Sequence, residues 1–246
     1  MITRRVWLAG LSGSLLSAAG GGDWKNAAFP NWNDAAVLRL LVDSPWAHLR
    51  TIKMMWYGKK EANSHITYKD VPGTQPGLPS STQPGGSPVG GIGTGKIRNK
   101  LPDTADLIFR WSSALPVRQA KALYRLREQK GELAKVSEMV EARAGSSYAL
   151  EIFGIPTVAA HAGTEAVSAL LTRSAAIRTK GGRTIRAERT TTELAGDVLV
   201  STISFPREEP LTVEDKEIEV MGDVQVFEFS ERFRLKDMKY LDGLEL

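Results

Sequence analysis

The stretch Lys216-Glu217-Ile218-Glu219-Val220-Met221-Gly222-Asp223-Val224 decides the fold class. Acidic and apolar residues alternate through it, the period of a strand with one face in a core and one in water. The same period of two runs from Ala176 onward. It predicts strands at Ala176–Thr179, Thr184–Glu188, Asp197–Phe205, Lys216–Val220, Val224–Leu235 and Met238–Leu246. Gly181-Gly182 and Gly222-Asp223 read as hairpin turns, and local turns between successive strands imply antiparallel pairing.

Upstream the period lengthens. Asn31-Trp32-Asn33-Asp34 offers a cap for a helix with Ala36, Val37, Leu40 and Leu41 on one face, and Pro45 stops it. Pro116 opens a long helix over Val117–Arg143, and a further helix starts near Thr164. Strands are expected at Thr51–Tyr57, Asp106–Trp111 and Tyr148–Ile155. Helices early and strands late give an α+β fold: a mainly antiparallel sheet with one long and one or two shorter helices, plus a long disordered Gly/Pro-rich loop.

That loop is Pro72–Gly95, with eight glycines, five prolines and no charged side chain. Such a composition defeats both helix and interior strand. The expected organisation is a signal segment at 1–19 and a single α+β domain over 20–246 with a flexible insertion at 72–95. Within and just after the insertion, Gly90-Gly91-Ile92-Gly93-Thr94-Gly95-Lys96 has the spacing of a phosphate loop. Prolines stand where the strand should precede it, and Ile97 stands where the magnesium hydroxyl belongs, so the match is compositional.

The first residues carry an address. Arg4-Arg5 precede an apolar run from Val6 to Leu16, and Ser17-Ala18-Ala19 supply the small residues of a cleavage site. The apolar run is shorter than the ~20 residues that cross a bilayer as a helix. Thr3-Arg4-Arg5-Val6-Trp7-Leu8 resembles the twin-arginine export pattern, with Trp7 in the phenylalanine place and Ala9 where lysine is common; the general secretory route is the alternative. The expected location is periplasmic or secreted, with no transmembrane span in the mature chain.

Composition narrows the chemistry. The 246 residues contain no cysteine, which excludes disulfides, thiolate metal sites and cysteine nucleophiles. The histidines are His48, His65 and His161, too few and too scattered for a histidine-built metal site, so no metal or cofactor is expected. Net charge is +4, and without Arg4 and Arg5 there remain 30 cations against 28 anions. That balance, and a basic stretch from Arg173 to Arg189 without interleaved aromatics, argue against a nucleic-acid partner.

Three residue sets bear on activity. His161, four residues before Glu165, could act as a general base oriented by a carboxylate, although no nucleophile elbow or His-Glu-x-x-His motif accompanies it. Trp24, Trp32, Trp46 and Trp56 could present stacking faces to sugar rings, or could anchor a small helix–strand unit in the core. Glu208, Glu209, Glu214, Asp215, Glu217 and Glu219 form an acidic cluster. The alternation with Ile218 and Val220 turns the last two away from the apolar side.

Asp43-Ser44-Pro45-Trp46-Ala47, Trp111 to Ala120, Ser204-Phe205-Pro206-Arg207 and Phe233 to Met238 together with Leu244-Glu245-Leu246 resemble a family of bacterial exported proteins. The resemblance implies export and one α+β body, and attaches no activity or catalytic residue. The leading expectation is an exported, soluble, non-enzymatic binding or scaffold domain whose partner is an envelope protein or a glycan. The alternatives are an exported hydrolase using His161 with a carboxylate and a carbohydrate-binding module using the Trp-rich region.

Overall fold

A computed structural model describes residues 24, 28–56, 101–129, 140, 146–241 and 243–246. The export signal, the insertion at 72–95, the Gly90–Lys96 motif, His65 and most of the long helix beyond Gln129 lie outside the described residues. Contacts divide the chain into a unit formed by Met1–Met55 with Asp103–Leu246, and a second unit, Trp56–Pro102. In the second, the Trp56 indole N–H donates to the Pro102 carbonyl at 2.7 Å.

The larger unit is α+β, as the two periodicities require. Helix α1 (Asp34–Val42) starts where Asn33 accepts a hydrogen bond from the Ala36 amide at 2.8 Å, and buries Ala36, Val37, Leu40 and Leu41. Strands β1 (Ala47–Lys53), β2 (Thr104–Trp111), β3 (Ser147–Pro156), β6 (Arg189–Ala195) and β7 (Val198–Pro206) form one antiparallel sheet in the order β1-β2-β3-β7-β6. Strands β4 (Ala176–Thr179), β5 (Thr184–Arg186), β8 (Glu217–Asp223) and β9 (Glu228–Arg234) form a second, in the order β5-β4-β8-β9. Helix α2 (Leu115–Gln129) follows β2, helix α3 (Thr164–Ser174) follows β3, and β10 (Lys239–Tyr240) pairs with β11 (Gly243–Leu244).

Strand alternation assigns the layers. Phe109 and Trp111 of β2 meet Phe229 and Phe233 of β9, with ring centroids 5.0 and 5.6 Å apart, so the two sheets pack face to face. The opposite face of β2 carries Arg110, whose Nη1 donates to the Leu41 carbonyl of α1 at 3.3 Å. Arg110 is also the register partner of Glu151 on β3, and its Nε donates to Glu151 Oε1 at 2.8 Å. Lys121 of α2 reaches Glu151 Oε2. This ion cluster is enclosed: Arg110 and Glu151 are each 5% exposed. Burial alone pushes the Glu151 carboxyl up, but the Arg110 and Lys121 charges outweigh it and hold it at about 2.

Three sequence expectations need correction. The strand expected at Thr51–Tyr57 starts earlier, at Ala47, because Trp46 is wholly buried and Ala47 already pairs with Arg110. The β8–β9 turn lies at Val224–Phe227, with Gln225 at φ 67°, and not at Gly222-Asp223. Gly222 is a strand residue opposite Phe229, and a Cβ there would sit 2.6 Å from that ring. Third, Met238–Leu246 is a two-residue-strand hairpin rather than one strand, since Leu241 turns the chain at φ 52°. Strand β6 was not expected at all; it is an edge strand with only Thr190 buried, so it carries little apolar signal.

Candidate functional site

The concave surface of the larger unit lies where the edge strands β1 and β9 approach the C-terminal hairpin. The local sequence builds its walls. Ser44 Oγ donates to the Leu40 carbonyl at 3.1 Å and accepts from the Trp46 amide at 3.2 Å, so the helix ends in a tight Ser-Pro-Trp turn. Trp46 then plugs the core and donates its indole N–H to the Glu245 carbonyl at 2.8 Å, which ties the chain end to this turn. Tyr240 packs edge-to-face on both Trp32 and Trp46. Burial raises its phenol above the ordinary tyrosine range, and Glu245 adds to the effect.

The result is a cleft of about 1070 Å³. One wall is β1 and the preceding turn, with His48, Arg50 and Asp43. The other is β9 and its continuation, with Arg232, Arg234, Lys236, Asp237 and Lys239. Trp24, Phe29 and Tyr240 close one end, and Gln119 of α2 reaches it from below. Five cationic side chains thus face two carboxylates.

One interaction set braces the walls together. Glu231, 5% exposed on the inward face of β9, accepts from Arg50 Nε at 3.1 Å on each oxygen and lies 3.3 Å from His48 Nδ1. The His48 ring stacks on Phe233 with centroids 4.3 Å apart and planes 12° from parallel. A buried carboxylate needs such partners, and here they join β1 to β9 across the sandwich edge. On the outer face of β9, Arg232 lies 3.5 Å from Glu219. The Ser230 hydroxyl and the Arg178 guanidinium hold that carboxyl down at about 2.

The remaining cations are different. Among the described residues, Arg234, Lys236 and Lys239 form no ion pair, and all three are exposed. By contrast Arg178, Arg183 and Arg127 are paired with Glu219, Asp215 and Asp34. Glu217 stands across from Arg234 and Glu214 interacts with Lys239, yet cations outnumber carboxylates along the cleft, and a concave surface with such an excess attracts anions because it focuses the field that an isolated lysine would spread into solvent.

Of the sequence candidates, Trp24 lines the cleft. His161 is exposed at the end of a short 3₁₀ turn (Thr157–Ala160), and Glu165 accepts from the Thr164 hydroxyl at 3.2 Å. Trp32 and Trp46 are buried in the core, and Trp24 is 9% exposed at the cleft. Glu217 and Glu219 do project from the outer face of β8, with Ile218 and Val220 buried beneath. Among the described residues no three acidic or histidine side chains cluster as a metal site, and no helix is long and apolar enough to cross a membrane. The cleft was not anticipated: its cations are spread over β1, β9 and the C-terminal hairpin. Only the run Arg232-Phe233-Arg234-Leu235-Lys236, with cations alternating against apolar residues, signals it. Neither a family model, nor a curated protein, nor a solved structure matches the chain.

Proposed function

We propose that this chain is an exported envelope protein that binds an anionic ligand in the β1–β9 cleft and performs no covalent chemistry on it. The observation that carries the binding role is the set Arg234, Lys236 and Lys239: cations on a concave surface, unpaired among the described residues. Nearby, Glu231 is occupied by Arg50 and His48, so the one buried carboxylate at the cleft serves as a brace between its walls. Export rests on Arg4-Arg5, the short apolar run and Ser17-Ala18-Ala19.

Two measurements test the two halves. In the native host, an intact mass short by about 19–22 residues and recovery outside the cytoplasm are expected; a full-length cytoplasmic chain overturns export. For binding, digalacturonate serves as a small dianion, titrated against the intrinsic fluorescence of Trp24 and its neighbours. The variant Arg234→Glu/Lys236→Glu should weaken it about tenfold or more, with the loss growing as salt is lowered. Equal binding by wild type and variant would refute the assignment of the cleft.

A further inference from the structure

Of the four sheet edges, β6 is unlike the others. Strand β5 has three residues, and β1 and β9 are joined to each other through Glu231. Among the described residues β6 pairs with β7 alone, and its sequence, Arg-Thr-Thr-Thr-Glu-Leu-Ala, has neither proline nor lysine to blunt the edge. The two-residue turn Gly196-Asp197, with Gly196 at φ 73°, closes on the pair Ala195–Val198, which in such a turn is a hydrogen-bonded one. By alternation the backbone groups of Arg189, Thr191 and Glu193 bond to β7, and those of Thr190, Thr192 and Leu194 point away from the sheet. The side chains alternate between faces. On the inner face Thr192 bonds the buried Ser201 at 2.9 Å, whereas Arg189, Thr191 and Glu193 are exposed on the outer one. Helix α3 contacts both β6 and β8, strands of different sheets, so it packs on that inner face.

We propose that this edge pairs with a second copy of the chain, β6 against β6, antiparallel about a twofold axis at Thr191. The outward backbone groups belong to even-numbered residues, so an even-numbered residue must face an even-numbered one, and the axis passes through a residue rather than between two. Charge selects which residue. An axis at Arg189 or Glu193 sets that side chain against its own copy, like charge on like. An axis at Thr190 or Thr192 leaves both charges without an opposite. An axis at Thr191 sets Arg189 against Glu193 twice and Thr190 against Thr192 twice. Within the chain, neither Arg189 nor Glu193 forms an ion pair among the described residues. This self-complementarity points to a second copy, since a strand of uniform charge would match one end of β6 and repel the other. Leu194, 62% exposed, comes diagonal to Thr190 of the second copy and is shielded in part. With one strand from each side the contact is small, so the dimer is weak and depends on concentration.

The chain has no cysteine, so Thr191→Cys places a single thiol at the axis. Thr191 faces its copy in a non-hydrogen-bonded pair, where Cα atoms lie about 4.5 Å apart, within the range of a disulfide. In a glutathione redox buffer the full chain with this change should form a disulfide-linked dimer at least about tenfold faster than Thr184→Cys, an exposed position on β5. Sedimentation velocity at rising concentration gives a second readout. Wild type should self-associate, and Arg189→Glu, which opposes glutamates, should weaken the association at least about tenfold. Arg189→Glu/Glu193→Arg should restore it, which also shows that the fold tolerates these changes. A wild-type chain that stays monomeric at every concentration overturns the proposal, as does a Thr191→Cys chain that cross-links no faster than Thr184→Cys. Association unchanged by Arg189→Glu puts the contact elsewhere and overturns it too.

Discussion

Replacing Glu151 by glutamine keeps the shape of the side chain and removes its charge. Arg110, 5% exposed, and Lys121 would then face a neutral amide beneath α1 and α2. Two arguments give the size of the effect. A carboxyl held at about 2 when folded, against an ordinary 4.5, is stabilised in its ionised form by about 3 kcal/mol. Independently, deleting one partner of a buried ion pair costs about 3–5 kcal/mol. Burial pushes the Lys121 ammonium down from the ordinary lysine range, and Glu151 only partly offsets this. Glu151→Gln removes that offset and leaves Arg110 and Lys121 without their counter-charge, so the cost should be about 3 kcal/mol or more. Urea unfolding followed by circular dichroism measures it, and the melting temperature should fall by about 6–12 °C. The dependence on pH is specific. Because the folded carboxyl titrates below the unfolded one, its contribution is complete above about 4.5 and is lost as pH falls through about 2. The gap between wild type and variant should therefore close on acidification across that window. A variant within about 0.5 kcal/mol of wild type at neutral pH, or a gap unchanged down to pH ~2.5, would refute this account of the cluster.

Other perturbations follow from the packing. Gly222→Ala should cost about 1–3 kcal/mol, since the new methyl would meet the Phe229 ring at 2.6 Å. Adding Phe229→Leu should recover part of that loss, and unfolding curves of the two variants give the comparison. Gly154→Ala should be worse, as its Cβ would lie 2.5 Å from the Asp106 carbonyl oxygen with φ at 98° and no side chain able to yield; a melting temperature like that of wild type would contradict it. Trp46→Phe removes the bond to the Glu245 carbonyl and should cost about 1–3 kcal/mol. Amide exchange should speed up first at Glu245 and in the β10–β11 hairpin; uniform acceleration across the sheets would show that Trp46 does not specifically hold the C-terminus.

Local patterns were readable in this chain, and the arrangements they enter were not. Asn33 and Pro45 bracket α1 in the sequence because capping and the pre-proline restriction act within a few residues. Gly181-Gly182 likewise marks the β4–β5 turn, where Gly182 takes φ 90°. Gly222 misled because a glycine at a turn and a glycine under an aromatic ring look identical until the cross-strand partner is known. Glu151 stands between Leu150 and Ile152, an acid in an apolar strand, which hints at a buried charge; its partners lie 41 and 30 positions away and no local pattern points to them. The candidate site was hidden for a related reason. Net charge sums over the whole surface, so a near balance of cations and anions conceals pairing on one face and unpaired cations on another. The basic stretch Arg173–Arg189 shows the converse: Arg178 and Arg183 are neutralised by Glu219, Glu209 and Asp215, partners far along the chain.

The junction between β1 and β2 bears on how the chain can be re-engineered. Lys53 pairs with Thr104, and the Met54 amide closes the ladder on the Asp103 carbonyl at 2.9 Å. The chain thus leaves and re-enters the sheet at neighbouring residues, as a plain hairpin would, although about fifty residues intervene. Loop-closure entropy grows only with the logarithm of length, so replacing 56–102 with a turn of about six residues would stabilise the sheet by only about 2 kcal/mol. The same junction is therefore a tolerant place to change the length of the connection or to graft a reporter domain.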